Sequence, residues 1–422
     1  MTMTTNTTPA APAAAPAASR PAHRDPNVLR WLGAFTASTL GDSIYFLALS
    51  WTAVSSGTPA QAGLVMAVSA VPRALLMLFG GVIADRLGPR RVVIGSDAVR
   101  CLVTFGLAAV LFLVSPGLWV LTLVALVFGT VDAVFLPAVG ALPPRIAERE
   151  QLARVQGMRG IGYRLGSVVG APLGGLAVAL GGPATAFGVA GLLFAVSVPL
   201  LCALKIRPLP GDDEPRDGTA LSDLAEGMRY LRRHKVLGPL MIVVLLGDLG
   251  FVGPLNVGLA LLCEQRGWGA SGIGWVLAGF GTGAGGVSLL LTVKGRIPRA
   301  GAVLNAAMVV GAVSIGALAY VPLLPVAVAV ALSIGLLAGL SGALCGALVQ
   351  TECDPAYLGR VTAVSSLGSL GIAPLGLPVA GAAIGAWGLG PVFVVSASIC
   401  ALSGVYGLTA KGLRRAELPQ AA

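Results

Sequence analysis

A chain of 422 residues with 56% hydrophobic residues, 11% charged residues and a formal net charge of +10 does not have the composition of a soluble domain, where about 25% of residues are charged. Its mean hydropathy of +0.87 belongs in a bilayer and leaves room for about twelve spans of roughly 20–25 residues. The basic residues lie between the apolar runs, which points to a positive-inside membrane protein and away from a nucleic-acid partner.

Residues 1–27 are rich in Thr, Ala and Pro and read as a disordered tail, without the Leu/Val-rich core of a signal peptide. Apolar runs follow near 29–54, 62–85, 91–114, 117–140, 155–181 and 184–204, a first lobe over 28–205. The stretch 206–235 is polar. Its Asp212, Asp213, Glu214, Pro215 and Gly218 read as a linker, and Leu221, Leu224, Met228 and Leu231 recur at helical spacing on an amphipathic surface helix. Six further runs, near 236–263, 270–293, 300–320, 323–349, 359–387 and 390–410, form a second lobe over 236–410, and a tail occupies 411–422. The expected fold is all-α and integral to the membrane, with twelve transmembrane helices in two six-helix lobes.

Charge sets the expected orientation. With a cytoplasmic N-terminus, the inner loops receive Arg86, Arg90, Arg91, Arg145, Arg149, Arg154, Lys294, Arg299 and Arg360, whereas the outer loops receive only Arg266. Both termini are therefore expected in the cytoplasm and the chain in the plasma membrane. Trp51, Trp119, Trp268, Trp275 and Trp387 fall at outer span ends, where an interfacial aromatic belt would stand. The six cysteines are scattered without C-x-x-C spacing, and His23 and His234 both lie outside the spans. These counts argue against a disulfide framework, a metal site or an intramembrane histidine relay, and no cofactor is expected.

The sequence also repeats itself. Gly166–Gly175 (GSVVGAPLGG) is echoed by Gly368–Gly376 (GSLGIAPLG) at an offset of 202 residues, while Leu40-Gly41-Asp42 and Leu152–Val155 recur at 246–248 and 358–361, an offset of 206. Three ordered matches suggest a duplicated chain. Within the first copy, Gly162, Gly166, Gly170 and Gly174 make a four-spaced stripe that lets another helix approach to backbone distance, and Pro172 invites a kink.

Between spans two and three stands Gly81-Val-Ile-Ala-Asp85-Arg86-Leu-Gly88-Pro89-Arg90-Arg91. Gly88 supplies a tight turn and Pro89 opens the third helix, while Asp85 is placed to meet an arginine or a helix N-terminus of the other half. This stretch resembles the loop signature G-x-x-x-D-R-x-G-R-R of the major facilitator superfamily, with Pro89 in place of the first basic residue. Gly157, Gly166, Gly170, Gly174 and Gly175 resemble the fifth-helix glycine signature of that superfamily's exporters, although Pro172 follows Ala171 rather than the third glycine. Phe135-Leu-Pro137-Ala138 and Glu226–His234 are similar to the enterobactin-exporter and macrolide-efflux branch. The second half's counterpart loop, Lys294-Gly-Arg296-Ile-Pro-Arg299, lacks the acid.

The remaining candidates are ionisable residues within spans, each costly at the bilayer centre unless paired or hydrated. Asp42 and Asp248 sit near the midpoints of spans one and seven, Asp132 in span four, and Arg73, Arg100 and Arg164 are also intramembrane. The resemblance implies that spans one, four, seven and ten line a central cavity, so these acids could couple proton entry to substrate exit. The alternative is that they pair with the arginines and hold the bundle. Asp248 leans to coupling because its own span holds no basic residue; Asp97 and Arg100, three apart, read as a structural ion pair. Span four lacks the arginine that many proton-coupled drug exporters carry there. The resemblance thus implies a monomeric, proton-coupled exporter of a moderately hydrophobic small molecule, such as an antibiotic, siderophore or secondary metabolite. An importer of a small nutrient with the same fold is the alternative. A membrane-embedded enzyme would need a His, Ser–His or metal cluster at membrane depth, and the acids are spread over separate spans.

Overall fold

The computed structural model describes residues 22–114, 117–147, 151–207, 220–294, 298–354 and 357–417, and all regular structure within them is helical. Residues 1–21 of the expected tail lie outside this set. The first long helix begins two residues inside that tail, because Asp25 and Pro26 start it: the Asp25 carboxylate accepts from the Asn27 amide at 2.8 Å, and Pro26 needs no partner in the first turn.

Eight described helices are long and apolar enough to cross a membrane. One of them, the 51-residue run Leu152–Cys202, holds two crossings, because its backbone leaves helical geometry at Gly182 (φ 75°) just before Pro183. Helices 59–87, 269–294 and the composite 358–387 complete twelve crossings among the described residues. We number them α1 (Pro26–Ser56), α2 (Pro59–Leu87), α3 (Pro89–Leu113), α4 (Leu118–Gly140), α5 (152–181), α6 (183–202), α7 (Leu237–Gln265), α8 (Gly269–Lys294), α9 (Ala300–Leu318), α10 (Leu324–Glu352), α11 (358–387) and α12 (Leu389–Thr409). Pro172 does not break α5; the helical dihedrals run through it to Gly182. Large apolar side chains such as Leu102, Phe112, Leu180 and Val379 stand exposed, as lipid-facing surface must.

Equivalent crossings in the two halves lie at constant offsets. A Cβ on Gly170 of α5 would press on Ser43 of α1, and 206 residues later one on Gly376 of α11 would meet Leu249 of α7. Gly129 of α4 admits the Ser69 carbonyl of α2, and Gly335 of α10 admits the Phe280 carbonyl of α8. The first members of those pairs again differ by 206, but Ser69 and Phe280 differ by 211. The left-handed caps Gly88 (φ 84°) and Arg299 (φ 53°) confirm the larger offset before α3 and α9, while Gly182 and Gly388 return to 206 before α6 and α12. The echo at 202 is therefore out of structural register: Gly166–Gly175 corresponds to 372–381, one helical turn beyond the matching letters.

At the face away from the two termini, two symmetric glycine contacts join the lobes. A Cβ on Gly63 of α2 would lie 2.7 Å from the Leu377 carbonyl oxygen of α11 and 3.3 Å from the Gly381 Cα. Its counterpart joins α5 to α8, where a Cβ on Gly175 would lie 2.7 Å from the Ala270 carbonyl oxygen and one on Gly274 2.9 Å from Pro172 Cα. Toward the termini these close approaches end, and a Cβ on Gly157, Gly160, Gly285 or Gly286 would meet nothing within 4 Å. The connector helix Ala220–Arg233 seats on the start of α11: Tyr230 stacks on Tyr357 (4.5 Å), Glu226 pairs with Arg360 (3.0 Å) and Leu231 is buried.

Candidate functional site

Four helices of the first lobe bring five ionisable residues together. Arg100 of α3 is 1% exposed, and its guanidinium reaches Asp97 at 3.2 Å and Asp42 of α1 at 3.8 Å, with a direct bond to Asp132 of α4. Arg73 of α2 adds a second contact to Asp132, at 3.8 Å. The guanidinium also lies over the Phe135 ring, 4.0 Å from its centroid, a cation–π placement. Asp97 accepts hydrogen bonds from Ser38 and Ser197, both at 2.5 Å, so α1, α3 and α6 are tied through one carboxylate. The α4 acid that lacks a basic neighbour in its own span thus finds two on other helices. Three carboxylates face two guanidiniums, leaving one formal negative charge within the cluster, nearest the surface at Asp42, whose side chain is 27% exposed.

Asp248 stands differently. It is partly buried on α7 and shares a cavity with the Ser369 hydroxyl of α11, and among the described residues no basic side chain pairs with it. It lines a cavity of about 370 Å³ inside the second lobe, walled by α7–α12 and otherwise apolar apart from Ser341, Ser369 and two cysteines. Phe251 and Phe280 form part of its wall, with ring centroids 5.6 Å apart. Ser369 projects from a π-helical stretch, Leu367–Ile372, and α7 carries another at Pro254–Gly258. The corresponding residues of α1 and α5 are plain α-helix. Such widened turns are frequent at functional sites because they re-aim side chains.

The other sequence candidates fall elsewhere. Arg164 is exposed on α5, outside the cluster, and donates to the Ala284 carbonyl of α8 at 3.1 Å. The glycine stripe seats α5 on α1: Gly162 faces Thr36, Gly166 faces Thr39, Gly170 faces Ser43 and Gly174 faces Ile44, while Gly175 turns to α8. Gly157 meets nothing. In the loop signature, Gly88 has φ 84° and Pro89 is the first residue of α3, and Arg90 bonds to the Leu201 and Cys202 carbonyls at the end of α6, where a cation meets the negative end of a helix. Arg91 is exposed, and the surroundings of Gly81, Asp85 and Arg86 lie outside the described residues.

A comparison of the α1 and α7 acids needed the structure, but a signal for the difference was present in the sequence. At the constant offsets, Arg100 corresponds to Gly311, Asp97 to Met308 and Asp132 to Ala338. Asp42 alone of the five keeps its acid in the copy.

Known proteins agree with this architecture. The chain is 28% identical over 397 residues to the multidrug efflux pump Tap of Mycobacterium tuberculosis, covering 90% of this chain and 93% of that protein. It is 27% identical over 340 residues to the enterobactin exporter EntS of Escherichia coli, covering 78% and 80%. Among solved structures, a bacterial homologue of the lysosomal transporter Spinster, in an inward-facing and unoccupied conformation, superposes with a TM-score of 0.70 at 15% identity, over 96% of this chain and all of that one. A family model described as Major Facilitator Superfamily matches residues 31–373. Twelve crossings in two repeated lobes, with that match over most of its length, make this chain a multi-pass membrane transporter of the Major Facilitator Superfamily, one that moves a small molecule and is not an enzyme.

Proposed function

We propose that this transporter exports a moderately hydrophobic small molecule from the cytoplasm across the plasma membrane, exchanging it for protons by alternating access. Tap and EntS, both exporters by name, support the direction. The observation that supports the coupling assignment is the contrast between the two midspan acids: Asp42 is held by Arg100, whereas among the described residues no base stands beside Asp248 on its cavity. A carboxylate free of permanent counter-charge can alternate between proton and substrate, while a clamped one cannot do so without disrupting its partners. Both termini are assigned to the cytoplasm on the charge of the loops. A monomer suffices, because each chain holds both lobes.

The test uses inside-out vesicles carrying the protein. Acidifying the lumen drives accumulation of a fluorescent antibiotic by an exporter, and an uncoupler abolishes it. Asp248→Asn is expected to reach the membrane folded and to lose gradient-driven accumulation by at least tenfold. Wild-type accumulation by that variant removes Asp248 from coupling, and accumulation driven by the opposite gradient makes the protein an importer.

A further inference from the structure

The second-lobe cavity is the first lobe's ion cluster with its contents removed. The two offsets, 206 for α4, α6 and their copies and 211 for α3 and α9, match the positions one by one. Where Arg100 puts a guanidinium, Gly311 leaves nothing; Asp97 becomes Met308 and Asp132 becomes Ala338. Phe135 and Phe194, the rings beside the guanidinium, become Ser341 and Cys400. All five replacements line the cavity, and Asp248, the copy of Asp42, is the one acid among the described residues of its wall. The volume is open where the arginine would enter: a Cβ on Gly311 would meet only Leu337, at 3.5 Å and 3.8 Å.

We infer that this cavity is a binding site for a monovalent organic cation carrying a planar apolar body, its charge beside Asp248 and its rings in the space that Phe135, Phe194 and Arg100 fill in the other lobe. The first lobe supplies the precedent within the same chain, since there the same acid position faces a planar cation lying on aromatic rings. In the second lobe the cation is no longer part of the protein. An acid in an apolar chamber attracts one unit of positive charge, because a buried carboxylate without a counter-ion is costly. Phe251 and Phe280 offer ring faces to the same charge. About 370 Å³ is enough for a two-ring cation. This inference names the substrate class for the export reading and rests on it for physiological meaning, but binding itself requires neither a gradient nor a direction.

The probe is N-methyl-4-phenylpyridinium, with 4-methylbiphenyl as its uncharged isostere, measured by equilibrium dialysis against the purified full-length protein in lipid nanodiscs. One saturable cation site per chain is expected. Asp248→Asn should weaken the cation at least tenfold and leave the isostere within twofold. Gly311→Arg, which restores a guanidinium to the hollow, should abolish binding of both, whereas Gly311→Ala should bind the cation within threefold of wild type. Gel-filtration profile and unfolding temperature establish that each variant is folded; if Gly311→Arg does not fold, the Asp248→Asn comparison between cation and isostere decides. No saturable cation binding by the wild type, an Asp248→Asn variant that keeps its cation affinity, or a folded Gly311→Arg variant that still binds overturns the assignment. Loss of proton-driven transport with cation binding intact falls on the export reading alone.

Discussion

The two lobes carry the same acid at the same place and treat it in opposite ways. Around Asp42, residues from α1, α2, α3 and α4 form a charged core in which Arg100 is wholly enclosed by carboxylates and rings. Around Asp248 the corresponding positions carry Gly, Met and Ala, and a cavity stands in place of the core. A duplicated lobe can afford this division: one copy is cross-linked by ion pairs between four helices, and the other keeps a chamber flanked by π-helical turns. The lesson is that pseudo-symmetry preserves crossings more strictly than chemistry. The glycine contacts are retained because two backbones meet there, while side chains between the crossings are free to diverge.

The largest effect is expected from breaking the first-lobe cluster. Arg100→Ala leaves three carboxylates with only Arg73 to meet them, so about 3–5 kcal/mol of stability should be lost. Yield in the membrane and unfolding in denaturant measure this. The mirror change Asp248→Asn removes a charge without orphaning a partner base and should cost under about 1 kcal/mol by the same assay. Equal losses in the two variants would erase the contrast between a structural and a functional acid.

Next come the equivalent crossings. Gly129→Ala and Gly335→Ala each drive a methyl into a backbone carbonyl of the neighbouring helix, and each should cost about 1–3 kcal/mol. Gly285→Ala, with nothing within 4 Å, should be neutral or slightly stabilising. Matching losses at 129 and 335 sharpen the symmetry; a loss confined to one lobe breaks it. The smallest effect belongs to Ser369→Ala, which removes the hydroxyl that shares the cavity with Asp248 and should cost under about 0.5 kcal/mol of stability. It should appear as a change in the pH dependence of transport, because a polar neighbour tunes a carboxylate's affinity for its proton. An unchanged pH profile would detach Ser369 from the acid's role.

Much of this was readable in the chain. Runs of more than twenty apolar residues have few alternatives to crossing a bilayer, so the spans near 62–85 and 236–263 fall within a few residues of α2 and α7. Capping is equally local: Gly88-Pro89 starts α3 as read, and Asp25-Pro26 starts α1 by the same chemistry, inside a stretch assigned to the tail on composition. The repeat was visible at 206, yet the longest run of matching letters, at 202, was one turn out of register. Small residues recur every four positions on a packing face, so a slip of one turn still matches glycine to glycine.

What the sequence determined by itself was the solvent, the number of crossings and the duplication, because each follows from composition, length or contiguous spacing, while the superfamily entered through the resemblance of residues 81–91 to a known loop signature. Only the tertiary structure decided which charges meet. Asp97 and Arg100 are neighbours along one helix, but Asp42, Arg73 and Asp132 join them from three others across as many as 90 positions of chain, reading 42 to 132. Nor could spacing reveal that Arg164 points to the other lobe, or that Gly311 leaves a hollow where Arg100 fills its counterpart. Ion pairing acts over about 4 Å through space and is blind to sequence distance, so it becomes legible only when the helices are in place.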